Sequence, residues 1–120
     1  MTTANRKIRA AAVQIAPDMD SATGTLAKVC QAIVDAAKQG AELVVFPETF
    51  VPYYPYFSFV RPPFAAGPEH LLLYERAVTV PGPVTDAVSA AARSYGVVVV
   101  LGVNERDHAF VICRRNFAAF

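Results

Sequence analysis

Three short apolar runs constrain the fold of this chain more than any other feature. They cover residues 9–16, 42–46 and 97–103, and each is almost uninterrupted by polar side chains. Continuous rather than alternating hydrophobicity is typical of strands that are buried on both faces of a parallel sheet. The segment between the first two runs has helical periodicity, so the chain begins with a right-handed β-α-β unit.

The predicted helices follow from the spacing of apolar side chains. Residues 22–39 place Leu26, Val29, Ile33 and Ala37 on one stripe, after turn and cap residues at 18–23 and before Gly40. Residues 69–78 form a shorter predicted helix, and residues 84–95 a longer one that ends at a glycine. The expected order is therefore strand, helix, strand, loop, two helices, strand.

The loop after the second strand is the most unusual segment of the sequence. Residues 49–68 contain five prolines and seven aromatic side chains, and no helical or strand periodicity. Connections of this length without regular structure are usually functional or disordered. The aromatic content favours an ordered, functional loop.

Composition excludes several classes of protein. With 54% hydrophobic and 18% charged residues the chain is too apolar to be disordered, and a net charge of +1 without a basic patch argues against nucleic acid as a partner. The polar N-terminus lacks a signal sequence, and the apolar run at 97–103 is far too short to cross a membrane. Two cysteines offer no disulfide framework, so we expect a cytoplasmic protein.

Glu48 is the candidate catalytic residue. It follows Pro47 directly at the end of the second strand, and ligands of parallel α/β sheets bind beyond the carboxyl ends of the strands. A carboxylate held there suits a general base. The alternative is that Glu48 only caps a loop or pairs with a surface cation.

Four stretches of sequence resemble the nitrilase branch of the carbon–nitrogen hydrolase superfamily. The longest is Phe-Pro-Glu-Thr-Phe-Val-Pro-Tyr-Tyr-Pro-Tyr-Phe-Ser-Phe at residues 46–59. The others are Ala-Val-Gln at 12–14, Val-Pro-Gly-Pro at 80–83 and Gly-Val-Asn-Glu-Arg at 102–106. The resemblance is continuous over about residues 8–108, and its longest motif is specific.

This resemblance implies a fold, a reaction and two site residues. The fold would be α/β, the N-terminal part of a four-layer αββα sandwich, with residues 1–120 as an incomplete domain. The reaction would use a Glu–Lys–Cys triad, in which Glu48 is the proton acceptor, without a metal or organic cofactor. Tyr54 would contact the substrate, although ordinary loop packing explains its position equally well.

The lysine and the cysteine of the triad have no counterpart in this chain. Lys7, Lys28 and Lys38 all precede Glu48, whereas the family lysine follows it. Cys30 lies within the first predicted helix and is interpreted as a structural residue. Cys113 lacks the glycine, tryptophan and glutamate that accompany the family nucleophile. We therefore predict that the 120 residues are inactive alone.

The two histidines support no other chemistry. His70 and His108 are isolated and are interpreted as surface residues, without the spacing of a metal site or of a histidine-dependent hydrolase. The chain also has no phosphate-binding glycine loop.

The functional expectation is a nitrilase-type hydrolase, in which the parent enzyme converts a nitrile to a carboxylic acid and ammonia and forms homo-oligomers. The alternatives are an amidase or carbamoylase of the same superfamily, or a truncated product that serves only in binding or assembly. Residues 109–120 depart from the family pattern. This departure suggests a reading-frame shift, which sequencing across codons 108 and 109 would test.

Overall fold

The computed structural model describes residues 5–107 and the backbone of residues 113–119. Its elements follow the predicted order, with a short helix and a 3-10 turn added within the loop and one strand added at the end. They are β1 (Ala10–Ala12), α1 (Ala22–Lys38), β2 (Leu43–Val45), α2 (Phe57–Val60), a 3-10 turn (Pro63–Ala65), α3 (Gly67–Arg76), α4 (Pro83–Tyr95), β3 (Val98–Arg106) and β4 (Cys113–Ala119).

The strands form one sheet in the order β1-β2-β3-β4. The first three are parallel, with Ala11 opposite Val44 and Val44 opposite Val99. This arrangement confirms the β-α-β unit and the α/β class. The fourth strand was not predicted from the sequence, and it pairs with β3 in antiparallel orientation.

The first strand is shorter than the predicted 9–16. Its last ladder bond runs from the Val13 amide to the Val45 carbonyl at 2.8 Å. The partner strand ends there, because Pro47 has no amide hydrogen and turns the chain away. The prediction of burial on both faces was also wrong for β1, since Ala10 and Ala12 are exposed.

The first helix confirms the predicted bounds to within one residue. Ser21 caps it, and the Ser21 hydroxyl accepts a hydrogen bond from the Gly24 amide at 3.0 Å. The helix ends before Gly40, whose φ of 84° is a left-handed conformation that glycine adopts without strain.

The segment 49–68 is more regular than its sequence predicted. It contains the short helix α2 and the 3-10 turn, and α3 begins at Gly67 rather than at Glu69. Proline explains the error, because Pro63 and Pro68 lie in the first turns of their helices. Proline is tolerated in a first turn, where its missing amide hydrogen would have no helical partner.

The core lies between the sheet and the helices α1 and α4. Val29 and Ile33 of α1 are fully buried, as are Val44, Val99 and Leu101 of the sheet. They form one cluster with Val88 and Ala92 of α4. The predicted apolar stripe of α1 is thus confirmed.

The other face of the sheet is partly exposed in the described residues. Strand residues alternate between the faces, so the neighbours of the buried valines point away from the helices. Val98, for example, is 51% exposed. In the described part of the chain, the helices α1 and α4 therefore form a layer on one face of the sheet.

Candidate active site

Glu48 lies at the carboxyl end of β2, as its place in the sequence predicted. The Phe46 amide still donates to the Val100 carbonyl of β3 at 2.9 Å. The chain returns to β3 at Val51, whose amide donates to the Gly102 carbonyl at 3.2 Å. Residues 47–50 span the gap between these two bonds, and we call them the Glu48 arch. The Glu48 side chain is exposed on this arch.

Thr49 gives the arch an uncommon backbone conformation. Its φ is 47°, the only positive value at a non-glycine residue in the described part of the chain. A β-branched residue is rarely found there. Thr49 is 1% exposed, and its hydroxyl has no hydrogen-bond partner. Such local strain is typical of functional sites, where the surrounding structure holds it in place.

A cavity of about 610 Å³ opens beside the arch. Its lining is apolar and aromatic apart from Glu48, and both candidate residues, Glu48 and Tyr54, belong to it. The lining residues are Ile15, Pro17, Pro47, Glu48, Phe50, Tyr54, Tyr56 and Phe59. Concave sites with mostly apolar walls and few polar groups are the usual form of small-molecule pockets. The fold thus brings Glu48 and Tyr54 to the same cavity.

Aromatic contacts order the segment that carries Tyr54. Residues 54–59, which we call the aromatic arm, place the Tyr54 ring centroid 4.9 Å from that of Tyr56. The Tyr54 and Phe59 rings stack with a centroid separation of 6.2 Å. Phe57 meets His70 of α3 edge-on at 4.8 Å. His70 is exposed, as predicted, and contributes to packing of the arm.

Three further residues near the site, Tyr53, Asn104 and Arg76, were not predicted from the sequence. Tyr53 is 4% exposed, and its carbonyl accepts a hydrogen bond from the Asn104 side-chain amide at 3.1 Å. Burial raises the pKa of the Tyr53 phenol, while the charge of Arg76 and a hydrogen bond from it act in the opposite direction. The motif at 102–106 was recognised, but the direction of the Asn104 side chain depends on tertiary contacts.

Arg76 connects the end of α3 to the loop before α1. Its guanidinium donates to the Met19 carbonyl at 2.7 Å and to the Asp20 carbonyl at 3.0 Å. This loop also leads from Pro17, which lines the cavity. Arg76 therefore ties together two segments that flank the site.

The lysines and Cys30 lie away from the described cavity lining. Lys28 and Lys38 are exposed on α1, and Lys28 donates to the Ala16 carbonyl at 3.1 Å. Cys30 is partly buried in the same helix, and burial raises the pKa of its thiol. A raised pKa lowers the thiolate fraction, the opposite of what an activated nucleophile needs. The side chains of His108 and Cys113 lie outside the described residues.

The described residues contain neither a metal-binding cluster nor a membrane-spanning helix. No group of three or more histidine, cysteine, aspartate or glutamate side chains in that part of the chain is arranged to hold a metal ion. None of its helices combines the length and hydropathy needed to span a bilayer.

Comparison with known proteins places this arrangement in a family. The family model of carbon-nitrogen hydrolases matches residues 9–117. A nitrilase from Paraburkholderia phymatum is 70% identical over 103 residues, which are 86% of this chain and 30% of that protein. An aliphatic nitrilase from Rhodococcus rhodochrous is 39% identical over 100 residues, 82% of this chain and 27% of that protein.

A third relative is also similar to this chain over about 30% of its own length. Nitrilase 3 from an unknown prokaryotic organism is 51% identical over 102 residues, covering 83% of this chain and 31% of its own length. The chain thus spans about 30% of the length of these relatives. Since the family model covers most of the 120 residues, the chain belongs to the carbon-nitrogen hydrolase family.

Proposed function

We propose that this chain is the segment of a nitrilase that supplies the general base, Glu48. The observation that carries the proposal is the position of Glu48 at the carboxyl end of β2, beside an apolar cavity of about 610 Å³. The names of the relatives support nitriles as the substrate class. The parent enzyme would convert a nitrile and two waters to a carboxylic acid and ammonia.

The reaction assigns a defined proton transfer to Glu48. A cysteine thiol gives its proton to the Glu48 carboxylate, and the sulfur attacks the nitrile carbon to form a thioimidate. Water then displaces ammonia to leave an acyl-enzyme, and a second water releases the acid and restores the thiol. A lysine stabilises the charge of the tetrahedral intermediate. In the family both residues follow the stretch that this chain matches.

The remaining cavity residues prepare the site for this chemistry. Pro47, Phe50 and Phe59 give the cavity beside the carboxylate an apolar wall, against which the apolar part of a small substrate can pack. Tyr54 contacts the substrate from the aromatic arm. The stacking of Tyr54 on Phe59 supports this role, because it fixes the ring at the cavity wall.

An amidase or carbamoylase of the same superfamily is the less favoured alternative, because the relatives carry nitrilase names. The long aromatic segment that follows Glu48 and extends to Phe59 also favours the nitrilase branch. A role in assembly alone rests on the uncovered sheet face, where Val98 is 51% exposed. We further propose that the parent is cytoplasmic, because the two cysteines of this chain offer no disulfide framework. We propose that it is a homo-oligomer, as the family resemblance implies.

The test transplants the chain into an intact enzyme. In the Paraburkholderia phymatum nitrilase, the aligned 103 residues are replaced by those of this chain, and ammonia release is measured with nitriles and amides. We expect nitrile hydrolysis, and a decrease in kcat/KM of about 10³-fold in Glu48→Gln, which is in the range of a lost general base.

Glu42→Gln is the matched control, since Glu42 lies at the opposite end of β2 and pairs with Arg6. It should leave kcat/KM within about twofold, as surface ion pairs contribute little. A chimera that retains full activity with Glu48→Gln would contradict the proposal. The 120 residues alone should release no ammonia. Release that Glu48→Gln abolishes would make Cys113 the first candidate nucleophile.

A further inference from the structure

The Glu48 arch rests directly on the backbone of β3 at Gly102. A Cβ atom built on Gly102 would lie 2.5 Å from the Pro47 carbonyl oxygen and 2.5 Å from the Thr49 amide nitrogen. It would also lie 2.9 Å from the Glu48 Cα. All three atoms belong to the main chain, so a side chain at 102 could be accommodated only by moving the arch. Glycine here allows close approach of two backbones.

Asn104 anchors the start of the aromatic arm from the same strand. Its backbone amide donates to the Val51 carbonyl at 2.9 Å, and its side-chain amide donates to the Tyr53 carbonyl at 3.1 Å. The residue is 3% exposed. Buried hydrogen bonds of this kind fix geometry, because the groups have no water to replace the lost partner. Because Tyr53 directly precedes Tyr54, a hydrogen bond to the Tyr53 carbonyl also restrains the position of Tyr54 at the cavity wall.

These contacts assign different parts of the site to two residues of one strand face. Gly102 and Asn104 are two positions apart, and strand residues at that spacing project to the same side. Gly102 determines how closely Glu48 approaches the sheet. Asn104 determines where Tyr54 enters the cavity. Neither residue lines the cavity itself in the described structure.

We propose that Gly102 and Asn104 are positioning residues of the reaction, Gly102 for the catalytic base and Asn104 for the substrate contact. The inference rests on the proposed function. A positioning role differs from a purely structural role in its effect on kcat and KM. Displacing Glu48 should lower kcat, whereas loosening the arm at Tyr54 should raise KM.

The experiment compares three variants in the nitrilase chimera, with nitrile hydrolysis and thermal unfolding measured for each. Gly102→Ala should lower kcat about 100-fold with KM within about threefold, the loss expected for a displacement near 1 Å. Asn104→Leu should raise KM about tenfold and keep kcat within about threefold, equivalent to one lost hydrogen bond. Gly67→Ala is the control, since a Cβ at Gly67 meets nothing within 4 Å.

Several outcomes would overturn the inference. One is a folded Gly102→Ala chimera with unchanged kcat. Another is a loss of activity that only follows the unfolded fraction. If Gly102→Ala does not fold, Asn104→Leu decides, and an unchanged KM would count against the inference.

A readout independent of activity separates this inference from the proposed function. If the unsubstituted chimera does not hydrolyse nitriles, the proposed function fails, and NMR of the 120-residue chain tests the positioning. Gly102→Ala should shift the Glu48 carboxylate carbon signal, and Gly67→Ala should leave it in place. An unmoved signal in Gly102→Ala would overturn the positioning role.

Discussion

Two regions of the molecule each bury a threonine but differ in how its hydroxyl is hydrogen-bonded. One region is the interior beneath α1, and the other is the Glu48 arch. Thr25 of α1 is fully buried, and its hydroxyl accepts from the Asp18 amide at 3.0 Å and is within hydrogen-bond distance of the Asp18 and Pro52 carbonyls. Thr49 of the arch is 1% exposed, yet its hydroxyl has no partner. The Thr25 hydroxyl is hydrogen-bonded, and the Thr49 hydroxyl is not.

Backbone conformation repeats this contrast. Near the helix ends, the left-handed conformation falls on Gly40 and Gly96, which adopt it without steric cost. In the arch it falls on Thr49. Proteins depart from local preferences mainly where function requires it, and stability elsewhere compensates. We therefore expect the helix-covered core to offset the free-energy cost of the strained arch.

The largest effect should come from breaking that core. Ile33→Ala removes a fully buried side chain between α1 and the sheet. We expect the free energy of unfolding to fall by about 2–5 kcal/mol, because the substitution loses transfer energy and leaves a cavity. Urea unfolding followed by circular dichroism measures this loss.

Val98→Ala provides the comparison on the uncovered sheet face, where Val98 is 51% exposed. Its loss should stay below about 1 kcal/mol, since exposed side chains bury little apolar area. Equal losses for the two variants would show that both sheet faces are covered in solution. That result would favour association of the chain through the face opposite the helices.

The contrast between the helix-covered core and the Glu48 arch also explains which features could be predicted from the sequence. Helix α1 and the three parallel strands follow from local periodicity, capping residues and apolar runs, so their order was confirmed. The position of Glu48 followed from one rule about parallel sheets. Its combination with Tyr54 in one cavity was implied by the family resemblance.

The supports of the site could not be read locally. Gly102 matters because the arch lies on it, and the two are more than fifty positions apart in sequence. The links from Asn104 to Tyr53 and from Arg76 to the loop before α1 are equally distant. Strand β4 was missed because residues 113–119 were interpreted as an atypical tail. The reading-frame hypothesis for that tail stays a prediction.

Paired threonine substitutions should give the next largest effect and test the contrast directly. Thr25→Val removes a hydroxyl that is fully used, which should cost about 1–3 kcal/mol because the Asp18 amide loses its acceptor. Thr49→Val removes an unpaired buried hydroxyl and should be neutral, or stabilise by up to about 1 kcal/mol. Both are measured by urea unfolding. A larger loss at Thr49 than at Thr25 would show that the Thr49 hydroxyl has a partner in solution.

The smallest effect should appear only at alkaline pH, at Tyr53 beside the arch. Burial raises the pKa of its phenol from the ordinary value of 10.0; the neighbouring Glu69 adds to this rise and Arg76 opposes it. The folded state thus holds the proton more tightly than the unfolded state. The stability that results is present below pH 10 and is lost as pH rises through the raised pKa.

Tyr53→Phe should flatten this alkaline decline, because phenylalanine has no proton to lose. Tyr95→Phe, at a side chain that is 45% exposed, should retain the decline. Both variants are compared in a Cys30→Ala background, since burial also raises the pKa of the partly buried Cys30 thiol, which contributes with the same sign. An unchanged slope in Tyr53→Phe would mean that water reaches the phenol. The arm beside the arch would then be open in solution, and Asn104 would not hold Tyr53 in its buried position.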